Sequence, residues 1–295
     1  MSIPNAELTR PRRTVLYLPG SNSRALEKST TLDTDGLILD LEDAVAPDAK
    51  SAAREQVAGA VSAGGFGHRE VLVRVNGLET GWFHEDLAAV AAAPPDGILV
   101  PKVSTVTDVH AIEAAVDRAG IAAEVPIWAM LETSRAVLDA GELVHASDRL
   151  VGFVLGTNDL AKELHAAHVP GRAPLLPSLA WCLLAVRDAG KIAIDGVHND
   201  LDDTEGFVEE CRQSRELGFD GKTVIHPKQL EACNAAFTPT DEEVEAAREV
   251  IAAYEGAEAE GRGVVTVNGK LIEALHVEQA QLTLSRFDAI AEREE

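Results

Sequence analysis

The chain has 295 residues, 46% of them hydrophobic, and carries 49 acidic against 26 basic side chains for a net charge of −23. A charge of that sign and size argues against nonspecific binding to nucleic acid or anionic membranes, although a local cluster of Arg and Lys can still hold an anionic ligand. Three scattered cysteines (Cys182, Cys211, Cys233), no run near the roughly 18 apolar residues of a membrane helix, and no apolar leader core in MSIPNAELTRPRR set the expectation of a reduced, cytoplasmic protein.

After an N-terminal arm of residues 1–11, the first short apolar run is TVLYLPG (Thr14–Gly20). Pro19-Gly20 breaks it, and Ser23 is placed to cap a helix carrying Arg24 and Lys28 one turn apart. With Arg12 and Arg13 these make a basic corner in an acidic protein, suited either to a phosphate-bearing ligand or to plain solvation. GLILDLED (Gly36–Asp43) begins as a buried strand and ends in carboxylates. An unpaired buried carboxylate costs several kcal/mol, so Asp40, Glu42 and Asp43 are expected to face Arg74, Lys102 and metal-bound water. In VLVRVN (Val71–Asn76) the Arg74 side chain points opposite to Val73 and Val75. Its planar fork suits a carboxylate, whether of a ligand or of Glu42 or Asp43.

The series continues with GILVPKV (Gly97–Val103), PIWAMLET (Pro126–Thr133), VGFVLGTND (Val151–Asp159), KIAIDGV (Lys191–Val197) and GKTVIHP (Gly221–Pro227), eight runs in all. Segments of helical periodicity such as FHEDLAAVAAA and TEGFVEECRQSRELG separate them. Strands alternating with helices imply a parallel sheet, and eight units fit an α/β (β/α)8 TIM barrel, here over residues 12–239. The strand ends of a barrel converge on the face where its enzymes place their sites. Charged residues recur at nearly every such end. Among them Glu132 and Asp159, with no His or Cys beside them, are oxygen ligands of the kind Mg²⁺ takes in ones and twos. A structural salt-bridge network with Arg74 and Lys102 is the other possibility. The motifs of nucleotide hydrolysis and of serine nucleophiles are missing from the chain.

Residues 240–295 form a C-terminal helix-hairpin-helix extension. Thr240–Glu243 is a capping box opening a helix through Tyr254, and a polar connection of Glu255–Gly263 follows. VVTVNGKLI is a hairpin around Asn268-Gly269, and a last helix runs from about His276 to Glu292.

RRTVLYLPG, GLILDLEDAVAPDAK, VRVN, PKV, ET, GTNDLAKEL and GFDGKTVIHPKQ, in that order, resemble the HpcH/HpaI aldolase and citrate lyase β-subunit family. The chain is most similar to its malyl-CoA lyase, citramalyl-CoA lyase and (3S)-malyl-CoA thioesterase branch. The resemblance implies a Mg²⁺ enzyme acting on CoA esters, with Glu132 and Asp159 as metal ligands and Arg74 on a substrate oxygen. It implies substrate contacts at Tyr17, Arg24, Lys28 and Ile194-Asp195. It also implies a homotrimer or hexamer in which the extension covers a neighbour's site. Relatives carry a catalytic Asp in an M-I-D-x-P motif there; this chain has Glu273 in LIEAL, without the proline. The implied reactions are cleavage of a malyl-CoA-like ester to acetyl-CoA or propionyl-CoA and a 2-oxo acid such as glyoxylate, or hydrolysis of malyl-CoA to malate and CoA. A third is work as a citrate lyase β subunit dependent on a carrier-protein complex.

Overall fold

A computed structural model describes residues 9–294 of the chain, so most of the expected N-terminal arm lies outside the described residues. Eight strands, β1 (Thr14–Pro19), β2 (Gly36–Asp40), β3 (Glu70–Arg74), β4 (Gly97–Val100), β5 (Ile127–Leu131), β6 (Leu150–Leu155), β7 (Ile192–Asp195) and β8 (Gly221–Val224), close in chain order into a parallel barrel. Closure is made by β1 against β8, with Thr14 opposite Lys222. All eight apolar runs therefore form strands. Their uninterrupted hydrophobicity has a physical cause: every residue of β2, β3, β4 and β5 is buried, because both faces of a parallel barrel are covered.

The helices of the barrel are α1 (Ser23–Ser29), α2 (Lys50–Ala63), α3 (Phe83–Ala92), α4 (Val106–Arg118), α5 (Ser134–Leu138), α6 (Ala140–Leu143), α7 (Thr157–Glu163), α8 (Leu176–Asp188), α9 (Thr204–Leu217) and α10 (Leu230–Phe237). Strand parity divides the core. Leu37 and Leu39 pack outward into one cluster with Val57 of α2 and Leu87 of α3. Ile38 and Leu72, equally buried, belong to the opposite face, the barrel interior, and Asp40 and Arg74 share their parity. Trp128 fits beside β4 and β6 because Gly97 and Gly152 present no side chain to it; a Cβ at Gly152 would overlap its ring.

Two local expectations need correction. Asn22, not Ser23, caps α1, its side chain accepting from the amide of Ala25 at 3.1 Å. Arg12 and Arg13 do not join Arg24 and Lys28 in a basic corner. They precede β1, at the end opposite to α1, in buried pairs: Arg12 donates to Glu70 from Nε (2.5 Å) and Nη2 (2.9 Å), and Arg13 to Asp35 from Nε (2.9 Å) and Nη2 (3.0 Å).

The chain divides into two compact units, Arg12–Phe237 and a second that begins at Thr238. The second holds α11 (Asp241–Ala259), β9 (Val265–Val267), β10 (Lys270–Ile272) and α12 (Ala274–Glu294). Thr240 and Glu243 make the expected capping box. Asn268 and Gly269 turn the hairpin with positive φ at both positions (49° and 77°), as its tight turn requires. Tyr254, Ile272 and Val277 form a small core here, with Val250, Ile251, Val265 and Val267 against it. The first helix runs five residues beyond Tyr254, since Glu and Ala at 255–259 are strong helix formers and Gly256 alone does not end it. Among the described residues no helix is long and apolar enough to cross a membrane.

Candidate active site

The register of β2 against β3 sets Asp40 opposite Arg74. Arg74 donates to Asp40 from Nε at 2.7 Å and from Nη2 at 2.6 Å. The same carboxylate accepts from the amides of Glu42 (2.8 Å) and Ala44 (3.0 Å), so it also shapes the turn after β2. Glu42 is thereby swung beside the remaining guanidinium corner: Nη1 of Arg74 stands 3.0 Å from Glu42 Oε2, out of line for a good hydrogen bond, and 3.7 Å from Met130 Sδ. The guanidinium lies 4.8 Å from the centre of the Tyr17 ring. Burial pushes the Tyr17 hydroxyl well above its ordinary pKa; Arg74 opposes this, and Asp40, Glu132 and Glu42 add to it.

Lys102, after β4, bonds Glu42 Oε1 through Nζ and gives its backbone N–H to Glu132 Oε1 at 2.7 Å. Burial raises Glu42 above its ordinary pKa against the pull of Arg74 and Lys102. Glu132, at the end of β5, is 1% exposed. Its pKa is pushed up to about 7 by burial first, then by the charges of Glu42 and Asp159. Asp159 is half-buried in the first turn of α7, four residues past the end of β6 rather than at a strand end. Gly156, which separates β6 from α7, lies so close to Glu132 that a Cβ there would overlap its carboxylate.

The sequence-derived residues thus separate into those that meet and those that stand apart. Tyr17, Glu42, Arg74, Lys102, Glu132 and Asp159 act on one another at the strand ends. Arg74's fork, suited to a carboxylate of a ligand or of the acids after β2, is filled by Asp40, and Nη1 stands beside Glu42 and Met130. Asp43 is exposed at the rim. Arg24 and Lys28 are exposed on α1. Asp195 was placed as a substrate contact, but its side chain is fully buried. It accepts from Arg172 Nη1 (2.7 Å), Lys222 Nζ (3.1 Å) and Ser214 Oγ. Burial alone would raise its pKa; Lys222 and Arg172 outweigh that and hold it below the usual range. Glu273, between β10 and α12, is exposed, its amide donating to His276 Nδ1 at 3.0 Å. Sequence reasoning missed Met130 and Gly156. The second had a signal, a glycine closing an apolar strand, which marks close approach of backbone to another group.

Glu132 and Asp159 fit a divalent cation that prefers oxygen. Burial first, then the charges of Glu42 and Asp159, lift the Glu132 pKa, and the missing side chain at Gly156 leaves room for its carboxylate. Among the described residues no group of three or more His, Cys, Asp or Glu side chains could form a metal cage. A carboxylate pair suits Mg²⁺, which keeps several waters and takes the rest of its oxygens from substrate.

A parallel barrel with charged side chains gathered at its strand ends defines an enzyme scaffold of the TIM-barrel class. The model of the HpcH/HpaI aldolase/citrate lyase family matches residues 13–227, and a model for C-C bond lyases of the TIM-barrel fold matches residues 181–289. The chain belongs to the HpcH/HpaI aldolase/citrate lyase family. It is 48% identical to a (3S)-malyl-CoA thioesterase of Cereibacter sphaeroides, over 97% of this chain and 98% of the relative. It is 37% identical to the citrate lyase subunit beta of Escherichia coli, over 97% of each. Among solved structures it resembles CitE of Mycobacterium tuberculosis in complex with magnesium, acetoacetate and coenzyme A, with TM-score 0.78, 28% identity, and coverage of 95% of this chain and 99% of that one.

Proposed function

We propose that the protein hydrolyses a malyl-CoA-like ester, with Mg²⁺ held by Glu132 and Asp159. The near full-length likeness to a (3S)-malyl-CoA thioesterase carries this choice within the family. Bound between the two carboxylates, Mg²⁺ would supply Lewis-acid charge and a template to the hydroxycarboxylate end of the ester. Nη1 of Arg74, the corner that Asp40 leaves uncovered, stabilises negative charge on a substrate oxygen; a donor of this kind is worth about 3 kcal/mol. Arg24 and Lys28 hold the phosphates of CoA, Tyr17 lies along the ester, and Ile194-Asp195 offers main-chain contacts. Glu273 of a neighbouring subunit in a homotrimer or hexamer takes a proton from the attacking water. The C–S bond breaks, and the thiolate leaves and is protonated. Leu271 and Leu275, 57% and 52% exposed on either side of Glu273, give that segment apolar surface with which to cover a neighbour.

Carbon–carbon cleavage is the second proposal, favoured by the match to C-C bond lyases. There Glu273 removes the substrate's hydroxyl proton, the bond between the carbinol carbon and the carbon next to the thioester breaks with its electron pair passing to the CoA enolate, that carbon takes the proton back, and acetyl-CoA or propionyl-CoA leaves with glyoxylate. One experiment separates the two: malyl-CoA and Mg²⁺ with a thiol reagent, glyoxylate being trapped in parallel as its hydrazone. Hydrolysis gives free thiol matching substrate consumed; hydrazone with no thiol reverses the order. Turnover seen only with a carrier protein present would place the chain beside citrate lyase β subunits.

A further inference from the structure

We propose that Lys102 is a positioning residue that aims the Glu132 carboxylate through its main chain, an inference that rests on Glu132 holding Mg²⁺. Three observations converge. Lys102 adopts φ 57°, the left-handed region that non-glycine residues enter only against a steric cost. That conformation, directly after the end of β4 and Pro101, points its N–H at Glu132 Oε1 across 2.7 Å. The side chain, 44% exposed, ties back to Glu42 Oε1, and Glu42 is itself held between Lys102 and Arg74. The ion pair outside therefore maintains the strained backbone inside. One oxygen of Glu132 is fixed by the amide, and the other faces the space at Gly156, where a Cβ would overlap it. Strain of this kind persists where the surroundings over-determine it, commonly at binding sites. A bond to a metal ligand from outside the coordination sphere typically changes metal affinity by about 10- to 100-fold when lost.

The side chain is thus an anchor and the amide the working group, and the two separate by substitution. Lys102→Met removes the anchor while keeping a Cβ that disfavours φ 57°, so the amide relaxes away from Glu132. Lys102→Gly removes the anchor and the steric cost together, so the amide stays within reach. Mg²⁺ binding to the full chain, measured by titration calorimetry, should weaken by about 10- to 100-fold in Lys102→Met and by clearly less in Lys102→Gly, with heat-unfolding midpoints checked for both. Lys102→Gln repeats the Met comparison should that variant fold poorly. Equal loss in Met and Gly variants, or unchanged affinity in Met, overturns the assignment to Lys102 alone. A wild-type chain that takes up no Mg²⁺ overturns the metal proposal and this inference with it.

Discussion

Asp40 and Arg74 face each other in register across β2 and β3, and the whole fork of the guanidinium closes on the carboxylate at 2.6 and 2.7 Å. Both are buried, at 0% and 8% exposure. The pair costs desolvation but fixes the third corner, Nη1, beside Glu42 and Met130. Asp40→Ala leaves that guanidinium with the poorly aligned Glu42 as the carboxylate beside it. Breaking one side of a buried pair costs about 3–5 kcal/mol, so urea unfolding should show a loss of that order. A loss under about 1 kcal/mol is what a solvent-screened pair would give, and would mean that Arg74 does not depend on Asp40.

The pH dependence follows from Glu132. Its folded pKa of about 7 lies above the ordinary 4.5, with burial the largest cause. Such a group contributes stability that is present in full below 4.5 and lost as pH rises through about 7. Glu42 shifts in the same direction, whereas Asp195 and Glu210 are lowered and act only at more acid pH. Without metal, the unfolding midpoint should fall between pH 5 and 8. Mg²⁺ should raise it more at pH 8 than at pH 6, because at the lower pH the ion must displace a proton. Heat-unfolding scans with EDTA or Mg²⁺ check both signs; an increment larger at pH 6 contradicts them.

Gly156 has φ −92°, a backbone open to alanine, and the three nearest atoms that a side chain there would meet all belong to Glu132. Overpacking of this kind costs about 1–3 kcal/mol, and here it would displace the carboxylate. Gly156→Ala should therefore fold, melt somewhat earlier and bind Mg²⁺ more weakly by calorimetry. Unchanged Mg²⁺ affinity would show that Glu132 is free to move.

The barrel was legible because a strand buried on both faces must read as an apolar run, and charged residues at its end mark the mouth. Which acid takes which part of the arginine was not. Asp40 and Glu42 both pair with Arg74, as their place at the end of β2 suggests, but that Asp40 fills the fork is decided by strand register, and register does not show in one strand's residues. The dipeptide Pro101-Lys102 carries no sign that Lys102 turns left-handed; that depends on Glu42 and Glu132, 60 and 30 residues away. The buried pairing of Asp195 was illegible for the same reason, its partners Arg172, Ser214 and Lys222 lying on other elements. Of the basic pairs near the start of the chain, Arg12 and Arg13 carry buried structural charge because Glu70 opens β3 and Asp35 directly precedes β2.

Glu273 tests the part assigned to the extension. A general acid or base contributes about 10²-fold or more, so Glu273→Ala should lower kcat by at least that factor while KM changes little. Glu273→Asp should also be slower, being one methylene shorter. If the residue works in a neighbour's site, mixing inactive Glu273→Ala chains with inactive Arg74→Ala chains restores part of the activity, since some sites then hold both groups. No recovery on mixing means that the two residues do not serve a shared site between subunits.

The central claim is that Glu132 and Asp159 hold the Mg²⁺ on which turnover of the CoA ester depends. Release of free CoA from malyl-CoA by the purified protein, followed in excess EDTA and again after Mg²⁺ is restored, tests it most directly. The account predicts that EDTA abolishes turnover, that Mg²⁺ brings it back, and that Glu132→Gln and Asp159→Asn, which remove charge without changing volume, stay folded and inactive under both conditions. Full activity in excess EDTA would contradict it and leave the two carboxylates as structural partners of Lys102 and the barrel mouth.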